Sequence, residues 1–359
     1  MKEFSPHDGL LAIDTHVDIP WPNGPSPFED GPRCVDLPKL KAGHIAAVCF
    51  AAYIPQGPRD AAGHEQAAIR VRAMLDSIAA MAPKDGTGGV LTSTADAIEA
   101  AFAAGKTGII PAIENGYAMG EDLAALDEFA ARGVRYMTLT HNGHNALADA
   151  AIPLASLGNA AAEHGGLSEL GRAAVARMNE LGILVDISHA AKSTMLQAAE
   201  LSRTPILATH SCIRSLCDHP RNLDDEQLEV LGATGGLVQI TIVSNFLRPK
   251  ARASDLTVAD IADHVDYAVK KIGIDHVGIG TDFDGGGGVR GFMNAAQAPN
   301  LTKELFRRGY DREALSKIWG GNFLRLLRAA ETEANIGGFN GGLRPQTPGA
   351  YPPRQSPQT

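Results

Sequence analysis

The chain is poor in cysteine, in aromatic side chains and in long apolar runs, and each scarcity excludes a class of protein. Four cysteines among 359 residues cannot build a disulfide framework, so we expect free thiols in a reducing cytoplasm. No apolar run approaches the length of a membrane span. The first eight residues lack the apolar core of a signal peptide, so the sequence predicts a cytoplasmic protein without a membrane anchor.

Charge of one sign is not concentrated anywhere in the chain, and this excludes two further kinds of partner. Charged residues make up 20% of the chain, and the formal net charge of −9 is spread along it. A nucleic acid or an anionic membrane would require a basic patch that the sequence does not contain. The partner that remains is a small molecule. The sequence leaves the oligomeric state open, a homodimer included.

Eight apolar runs of strand length alternate with segments of helical periodicity. This alternation predicts an α/β fold, a single closed (β/α)8 barrel of the TIM type. A doubly wound sheet is the rival, but it normally has a glycine-rich turn after its first strand, and here that turn reads His16-Val17-Asp18. We predict one barrel domain over residues 1–335 and a Gly/Pro-rich tail over residues 336–359. The predicted strands are 10–13, 45–53, 108–113, 135–139, 184–187, 205–208, 236–242 and 276–279.

Two segments between the strands carry further expectations. The helix predicted near residues 65–82 would present Ile69, Met74 and Ile78 on one buried side. Residues 142–166 form a long loop rich in Ala, Gly and Asn, which we predict to be a lid over the barrel mouth. Gly182 stands where a helix would end.

Imidazole or carboxylate side chains follow the ends of six of the predicted strands. In a parallel barrel the carboxyl ends of all strands open onto one face, and active sites are built there. One histidine at a strand end is readily explained as a structural residue, but a set at matching positions is not. The side chains are His16, Asp18, Glu114, His141, His189, His210 and Asp282.

The number of ligand-type side chains favours two metal ions. A catalytic zinc ion takes about three protein ligands and a water molecule, so five ligands with one shared carboxylate would serve two ions. Glu114 is the natural bridge, because a carboxylate has two oxygens. Two cations roughly 3.5–4 Å apart would hold a hydroxide between them and lower its pKa, which predicts hydrolysis. The ligand types favour Zn²⁺ and leave Mn²⁺ or Co²⁺ open.

Seven short motifs surround these side chains. In chain order they are Asp14-Thr15-His16-Val17-Asp18, Ala112-Ile113-Glu114-Asn115-Gly116, Leu139-Thr140-His141, Asp186-Ile187-Ser188-His189, Thr209-His210-Ser211, Pro220-Arg221-Asn222 and Gly280-Thr281-Asp282-Phe283-Asp284-Gly285. Together they resemble the renal (membrane) dipeptidase family of zinc metallopeptidases, in its soluble bacterial form. The match runs in order from about residue 10 to residue 330.

The resemblance implies a binuclear zinc centre and a dipeptide substrate. His16 and Asp18 would hold one ion, and His189 and His210 would hold the other. Glu114 would bridge the two ions. The implied reaction is hydrolysis of the peptide bond of dipeptides, L-Xaa-D-Xaa dipeptides among them, through a metal-bridging hydroxide.

The resemblance also implies roles for three residues outside the ligand set. His141 would steady the oxyanion, Arg221 would bind the carboxylate or backbone of the substrate, and Asp282 would shuttle the proton. Peptide hydrolysis needs these functions, and a planar guanidinium binds a carboxylate through two hydrogen bonds. Asp284 shares a face with Asp282, so the residues alone leave the choice between them open. Phe246 stands where some relatives have a tyrosine near the substrate.

Two other functions belong to different classes. An amidohydrolase-type metal hydrolase acting on another small amide or lactone would usually carry His-x-His on its first strand, where this chain has His16-x-Asp18. Such enzymes often use a carboxylated lysine as the bridge, and no lysine stands at a predicted strand end. A binding barrel without activity is the other alternative, and metal analysis would distinguish it.

Overall fold

The structure is a computed structural model of the chain and describes residues 5–19 and 22–336. The predicted tail lies outside the described residues, apart from Ile336 at the end of the last helix. The strands are β1 (Ala12–Asp18), β2 (Ile45–Tyr53), β3 (Val90–Leu91), β4 (Gly108–Glu114), β5 (Tyr136–Thr138), β6 (Leu184–Asp186), β7 (Leu207–Ser211), β8 (Leu237–Ile240) and β9 (Val277–Ile279). The helices are α1 (Leu37–Ala42), α2 (Ala61–Ala80), α3 (Ala95–Ala103), α4 (Ala124–Ala131), α5 (Glu169–Leu181), α6 (Lys192–Leu201), α7 (Asp225–Ala233), α8 (Ser244–Leu247), α9 (Val258–Ile272), α10 (Ala298–Arg307), α11 (Arg312–Ser316) and α12 (Asn322–Ile336).

The strands form one parallel sheet that curls into a barrel. The order around the barrel is β1, β2, β4, β5, β6, β7, β8 and β9. The short β3 lies outside this order and pairs with the first two residues of β4. The ends of the sheet meet at a seam, where Asp18 N–H donates to Phe283 O at 2.9 Å and Asp282 N–H donates to His16 O at 2.9 Å. The predicted (β/α)8 barrel is confirmed.

A buried carboxylate from β1 fastens this seam. Asp14 Oδ1 accepts hydrogen bonds from the backbone N–H groups of Thr281 at 3.0 Å and His16 at 3.3 Å. Its Oδ2 accepts from Thr281 Oγ1 at 2.6 Å. Burial raises the pKa of Asp14 to about 6, against the effect of these three donors. One side chain therefore satisfies polar groups on both edges of the sheet.

The two ends of the barrel differ in polarity. One buried cluster combines side chains of α12, Leu326 and Leu327 among them, with the first residues of several strands, such as Leu207 and Leu237. Because those residues begin their strands, α12 covers the amino end of the barrel with apolar side chains. The carboxyl end is left for polar groups, and the predicted ligands lie there.

Helix starts follow short polar side chains that accept hydrogen bonds from the first turn. Asp60 caps α2 and Ser168 caps α5, each accepting from the N–H three residues on. Asp224 and Thr257 form capping boxes at the starts of α7 and α9. The predicted end of α5 is confirmed, because Gly182 has the left-handed conformation, with φ of 68°.

The prediction that Ile69 packs against the core is wrong. Its side chain is 61% exposed, whereas Met74 and Ile78 are buried as predicted. The buried stripe of α2 also includes Ala67 and Val71. Ile69 lies two residues from each of these, on the opposite side of a helix with 3.6 residues per turn. The two-residue β3 was also missed, because it is exposed and too short to show a periodicity.

The loop over residues 142–166 is folded back onto itself. Asp149 Oδ1 accepts from Glu163 N–H at 2.9 Å and its Oδ2 accepts from Gly166 N–H at 3.1 Å. Within it, His144 is buried, and its Nδ1 accepts from Ala150 N–H at 2.9 Å. These bonds give the predicted lid a fixed shape, and its role as a lid stays a prediction.

Two expectations from composition concern the chain as a whole. The four cysteines are free, as predicted. None of the described helices combines the length and the hydrophobicity that a membrane span requires.

The seam predicts a stability effect at Asp14. We expect Asp14→Ala to lower the free energy of unfolding by about 3 kcal/mol, because it leaves buried donors on β1 and at Thr281 without an acceptor. Urea unfolding followed by circular dichroism measures the change. Asp85→Ala is the control, since Asp85 accepts from Thr87 in an exposed turn and should leave the midpoint in place. Equal midpoints for the two variants would contradict the seam's role.

Candidate metal centre

The first pair of predicted ligands lies on one face of β1. Side chains two residues apart on a strand point the same way. His16 Nε2 is 3.6 Å from Asp18 Oδ1 and 3.7 Å from Glu114 Oε2. Glu114 ends β4, so two strands that are not adjacent in the barrel direct these atoms to one point.

The second pair of predicted ligands faces the other oxygen of Glu114. Its Oε1 lies 3.1 Å from His189 Nε2 and 3.4 Å from His210 Nε2. The two imidazole Nε2 atoms are 3.0 Å apart. The structure thus brings all five predicted ligands together, and the two oxygens of one carboxylate serve two separate groups.

The backbone is in the left-handed region at several residues of the barrel mouth. His189, Asp282 and Asp284 have φ of 66°, 60° and 63°, and Asn115 next to Glu114 has φ of 89°. Non-glycine residues rarely adopt this region, and such strain concentrates at functional sites. The chain turns sharply at these strand ends, and the turns at His189 and Asp282 direct their side chains at the centre of the mouth.

The electrostatics of the cluster favour a cation. Burial alone would raise the pKa of Glu114, but the neighbouring imidazoles of His16, His189 and His210 hold it well below its ordinary value. Burial would lower the pKa of His16, and the carboxylates of Asp18 and Glu114 instead hold it well above its ordinary value. The Asp18 pKa rises to about 6 through burial and the Glu114 charge. Negative charge is therefore concentrated around His16.

The second pair has the opposite character. Burial, reinforced by the charges of Arg221 and His141, lowers the pKa of His189 well below its ordinary value. Burial and the charge of His16 lower the pKa of His210 to about 3. Both rings are neutral at physiological pH, and a neutral imidazole offers the lone pair that a metal ion needs.

Two orphaned atoms show that the residues fit metal ions. His16 Nε2 and Asp18 Oδ1 are buried, yet neither has a hydrogen-bond partner among the described residues. Two atoms bound at about 2.0–2.1 Å to a tetrahedral zinc ion lie about 3.4 Å apart, and the ligand atoms here are 3.0–3.7 Å apart. The Nδ1 of His189 lies 3.0 Å from Asn142 Oδ1, so its Nε2 can carry the lone pair.

His141 lies beside the cluster. Its Nε2 is 3.9 Å from Glu114 Oε1, and its ring packs against the rings of Tyr53 and His189 with centroid distances of 4.7 and 4.0 Å. Burial lowers its pKa. The imidazole is partly exposed to the mouth, so it can reach a molecule bound there.

Arg221 is a buried cation with no carboxylate partner within the described ranges, 5–19 and 22–336. Its Nη2 donates to His210 O at 3.2 Å, its Nε has no partner, and its guanidinium lies 5.4 Å from the centroid of the Phe246 ring. Burial lowers its pKa to about 10, so the group stays charged. A buried guanidinium with free donors is a binding position for an anion.

Asp282 and Asp284 occupy different surroundings. Burial and the Asp18 charge raise the pKa of Asp282 well above its ordinary value. Gly285 allows the carboxylates of Asp282 and Asp18 to lie close to the backbone here, because an added Cβ would overlap Asp282 Oδ1 and lie 2.6 Å from Asp18 Oδ2. Asp284 instead accepts from the N–H groups of Cys34 at 2.7 Å and Val35 at 3.2 Å. Asp282 faces the centre, and Asp284 holds a neighbouring loop.

The sequence interpretation missed the residues behind the ligands. Tyr136 Oη and Thr209 Oγ1 lie 2.9 and 3.2 Å from His16 Nδ1, and Asp186 lies close enough to His16 and His210 to form a third group of ligand-type side chains. Asp186 and Thr209 each belong to one of the motifs, so proximity to a ligand in sequence was the available signal. Tyr136 carries no such signal, since it begins its strand.

Comparisons with known proteins identify relatives of this chain. A sequence model of the family described as membrane dipeptidase (peptidase family M19) matches residues 7–336. Dipeptidase aclJ of Aspergillus oryzae is 32% identical over 302 residues, which cover 83% of this chain and 70% of the relative. Dipeptidase tcpJ of Claviceps purpurea is 29% identical over 351 residues, which cover 96% of this chain and 80% of the relative.

Solved structures agree as well. The probable dipeptidase PvdM from Pseudomonas aeruginosa superposes with a TM-score of 0.87 at 28% identity, over 92% of this chain and 97% of that one. A metallopeptidase from Rhodobacter sphaeroides, liganded with a phosphinate mimic of the dipeptide L-Ala-D-Ala, superposes with a TM-score of 0.78 at 27% identity. That match covers 90% of this chain and 100% of the other.

Proposed function

The chain belongs to the membrane dipeptidase family of metallopeptidases and is a hydrolase of dipeptides, and we propose that it works with two zinc ions. His16 and Asp18 hold one ion, His189 and His210 hold the other, and Glu114 bridges them. The observation that carries this proposal is that the two carboxylate oxygens of Glu114 face different histidines. Its Oε2 faces His16, while its Oε1 faces His189 and His210.

The ligand types and the chemistry of hydrolysis fit together. Imidazole and carboxylate ligands without cysteine suit Zn²⁺, and Mn²⁺ or Co²⁺ can substitute for it. When bound, the pair of ions supplies the Lewis acidity that activates water and polarises a peptide carbonyl near neutral pH. The protein's own part is to place the substrate, stabilise the oxyanion and move a proton.

Two side chains at the edge of the centre perform those last tasks. His141 stabilises the oxyanion, because its Nε2 borders the ligand cluster and its ring is held between two others. Asp282 takes a proton from the attacking water and gives it to the leaving amine. Its raised pKa makes this carboxylate a better proton acceptor than an ordinary aspartate.

Arg221 and the space beside it select the substrate. The guanidinium binds the free carboxylate of a dipeptide, and Phe246 leaves it without the second contact that a tyrosine would give. A cavity of about 190 Å³ adjoins Arg221, and five alanines line it together with Lys192, Arg214 and Gln227. A cavity of this size suits a small C-terminal residue. We include L-Xaa-D-Xaa dipeptides, since the Rhodobacter sphaeroides relative holds a mimic of L-Ala-D-Ala.

The first prediction concerns metal content. Wild-type protein loaded with zinc and freed of excess metal should contain two ions per chain by elemental analysis. Glu114→Ala should lose both, because both positions depend on its carboxylate, whereas Asp18→Asn should lose only one. Glu121→Ala, at an exposed position near the same strand end, should keep two. One ion or none in the wild-type protein would exclude the two-metal function.

The second prediction assigns the proton shuttle. Asp282→Asn keeps the shape of the side chain and removes the base, so kcat should fall by roughly 10²–10⁴ while the metal content stays at two. The loss of rate at low pH that is caused by protonation of Asp282 should disappear from the pH–rate profile. Asp284→Asn is the matched control, because its carboxylate accepts from backbone N–H groups, and it should lose much less. Loss of a metal ion from Asp282→Asn would overturn the assignment.

The third prediction concerns the free carboxylate. An L-Ala-D-Ala dipeptide should exceed its C-terminal amide in kcat/KM by about 100-fold, since a hydrogen-bonded charge pair contributes about 2–3 kcal/mol. Arg221→Met should remove most of this discrimination and leave metal binding intact. Arg307→Met, an exposed arginine on α10, should change neither. Similar kcat/KM values for dipeptide and amide with the wild-type enzyme would refute the role of Arg221.

A further inference from the structure

Asp186, the last residue of β6, has a fully occupied carboxylate. Its Oδ1 accepts from the backbone N–H groups of Ser188 and Thr209, both at 3.0 Å. Its Oδ2 accepts from Thr138 Oγ1 at 2.6 Å and from Thr209 Oγ1 at 2.7 Å. Four donors converge on this buried group, so it has no free lone pair for a metal ion, although it lies close to His16 and His210.

The Thr209 hydroxyl is therefore restricted to accepting from its other neighbours. A hydroxyl has one hydrogen, and here that hydrogen is donated to Asp186. Thr209 Oγ1 also lies 2.9 Å from His210 Nδ1 and 3.2 Å from His16 Nδ1. Toward both imidazoles it offers only lone pairs. Each ring must then carry a hydrogen on Nδ1, so Nε2 is the only nitrogen of either ring that can offer a lone pair.

The two Nε2 atoms point to different parts of the centre. His16 Nε2 faces Asp18 and Glu114 Oε2, and His210 Nε2 faces His189 and Glu114 Oε1. We propose that Asp186 and Thr209 are positioning residues that fix the metal-binding tautomer of one histidine at each metal position. This inference rests on the proposed function of those histidines as ligands.

The tautomer matters because only the nitrogen without a hydrogen can bind a metal ion. A free neutral imidazole carries its hydrogen on either nitrogen, and the wrong choice directs an N–H group at the ion. Partners that hold the other ring nitrogen typically contribute 10- to 100-fold to metal affinity. One threonine hydroxyl in contact with both rings would make that contribution at both positions.

Tyr136 is the competing partner of His16. Its hydroxyl lies 2.9 Å from Nδ1, and a phenol can either donate or accept there. If it donated, the Nδ1 lone pair would face the lone pair of Thr209 Oγ1 at 3.2 Å, since the Thr209 hydrogen is committed to Asp186. The Asp186 carboxylate thus decides the direction of both hydrogen bonds at His16.

The test compares Thr209→Val, which keeps the shape and removes the hydroxyl, with Thr209→Ser, which keeps the hydroxyl. Nitrogen-15 NMR of the metal-free protein reports which ring nitrogen of His210 carries the hydrogen. Competition with a zinc chelator reports the affinity of each position. Thr302→Val is the control, because Thr302 Oγ1 makes an equally buried contact of 2.6 Å with His7 Nδ1 away from the centre.

We expect hydrogen on Nδ1 of His210 in the wild-type protein and in Thr209→Ser. Thr209→Val should show a mixture of tautomers and lose 10- to 100-fold in zinc affinity at both positions, while Thr302→Val keeps wild-type values. Wild-type tautomer and affinity in Thr209→Val would overturn the proposal, as would equal losses in Thr209→Ser. Failure of wild-type protein to bind two zinc ions would instead overturn the proposed function, since the NMR measurement needs no metal.

Asp186→Asn provides the same test if Thr209→Val does not fold. An amide at this position can donate to Thr209 Oγ1 and release the threonine hydrogen toward an imidazole. The tautomer of His210 should then shift toward hydrogen on Nε2, and zinc affinity should fall. An unchanged tautomer in Asp186→Asn would also overturn the proposal.

Discussion

The buried carboxylate of Glu114 is the constraint on which the barrel mouth depends. A buried charge is costly unless it is paired, and no lysine or arginine of the described chain forms an ion pair with it. Its neighbours are imidazoles, three of them within 3.7 Å of its oxygens. The neutral rings of His189 and His210 satisfy an anion weakly, and this favours the binding of cations beside Glu114. The strain at His189 and Asp282, and the close approach at Gly285, serve this arrangement.

The barrel places the polar groups around Glu114 and the apolar side chains of the core in different parts of the same strands. Inside the barrel, Ile110 and Ala112 lie on the same strand as Glu114 and belong to the apolar cluster beneath it. The predicted ligand side chains lie toward the carboxyl ends of the strands and in the turns after them. Packing and chemistry are thus assigned to opposite ends of the same strands.

Much of this could be predicted from the sequence, because strand ends in a parallel barrel share one face. The barrel, the bounds of β2, and the gathering of the five predicted ligand side chains follow from runs of apolar residues that end in imidazole or carboxylate. The outward position of Ile69 could have been found by a stricter helical period. The contacts of Tyr136 and Thr209 with His16 could not, since they depend on the stagger of three different strands. The seam at Asp14 likewise depends on closure of the sheet, which no local pattern encodes.

The seam has a consequence for the order of folding. Asp14 and Thr281 are 267 residues apart, yet their hydrogen bonds join the first and last strands of the barrel. Contacts of such sequence separation form late, after the loop-closure entropy of the whole chain has been overcome. During vectorial synthesis β1 leaves the ribosome with His16 and Asp18 long before β9 exists. The seam that borders His16 and Asp18 therefore cannot close until the chain has been synthesised as far as Thr281.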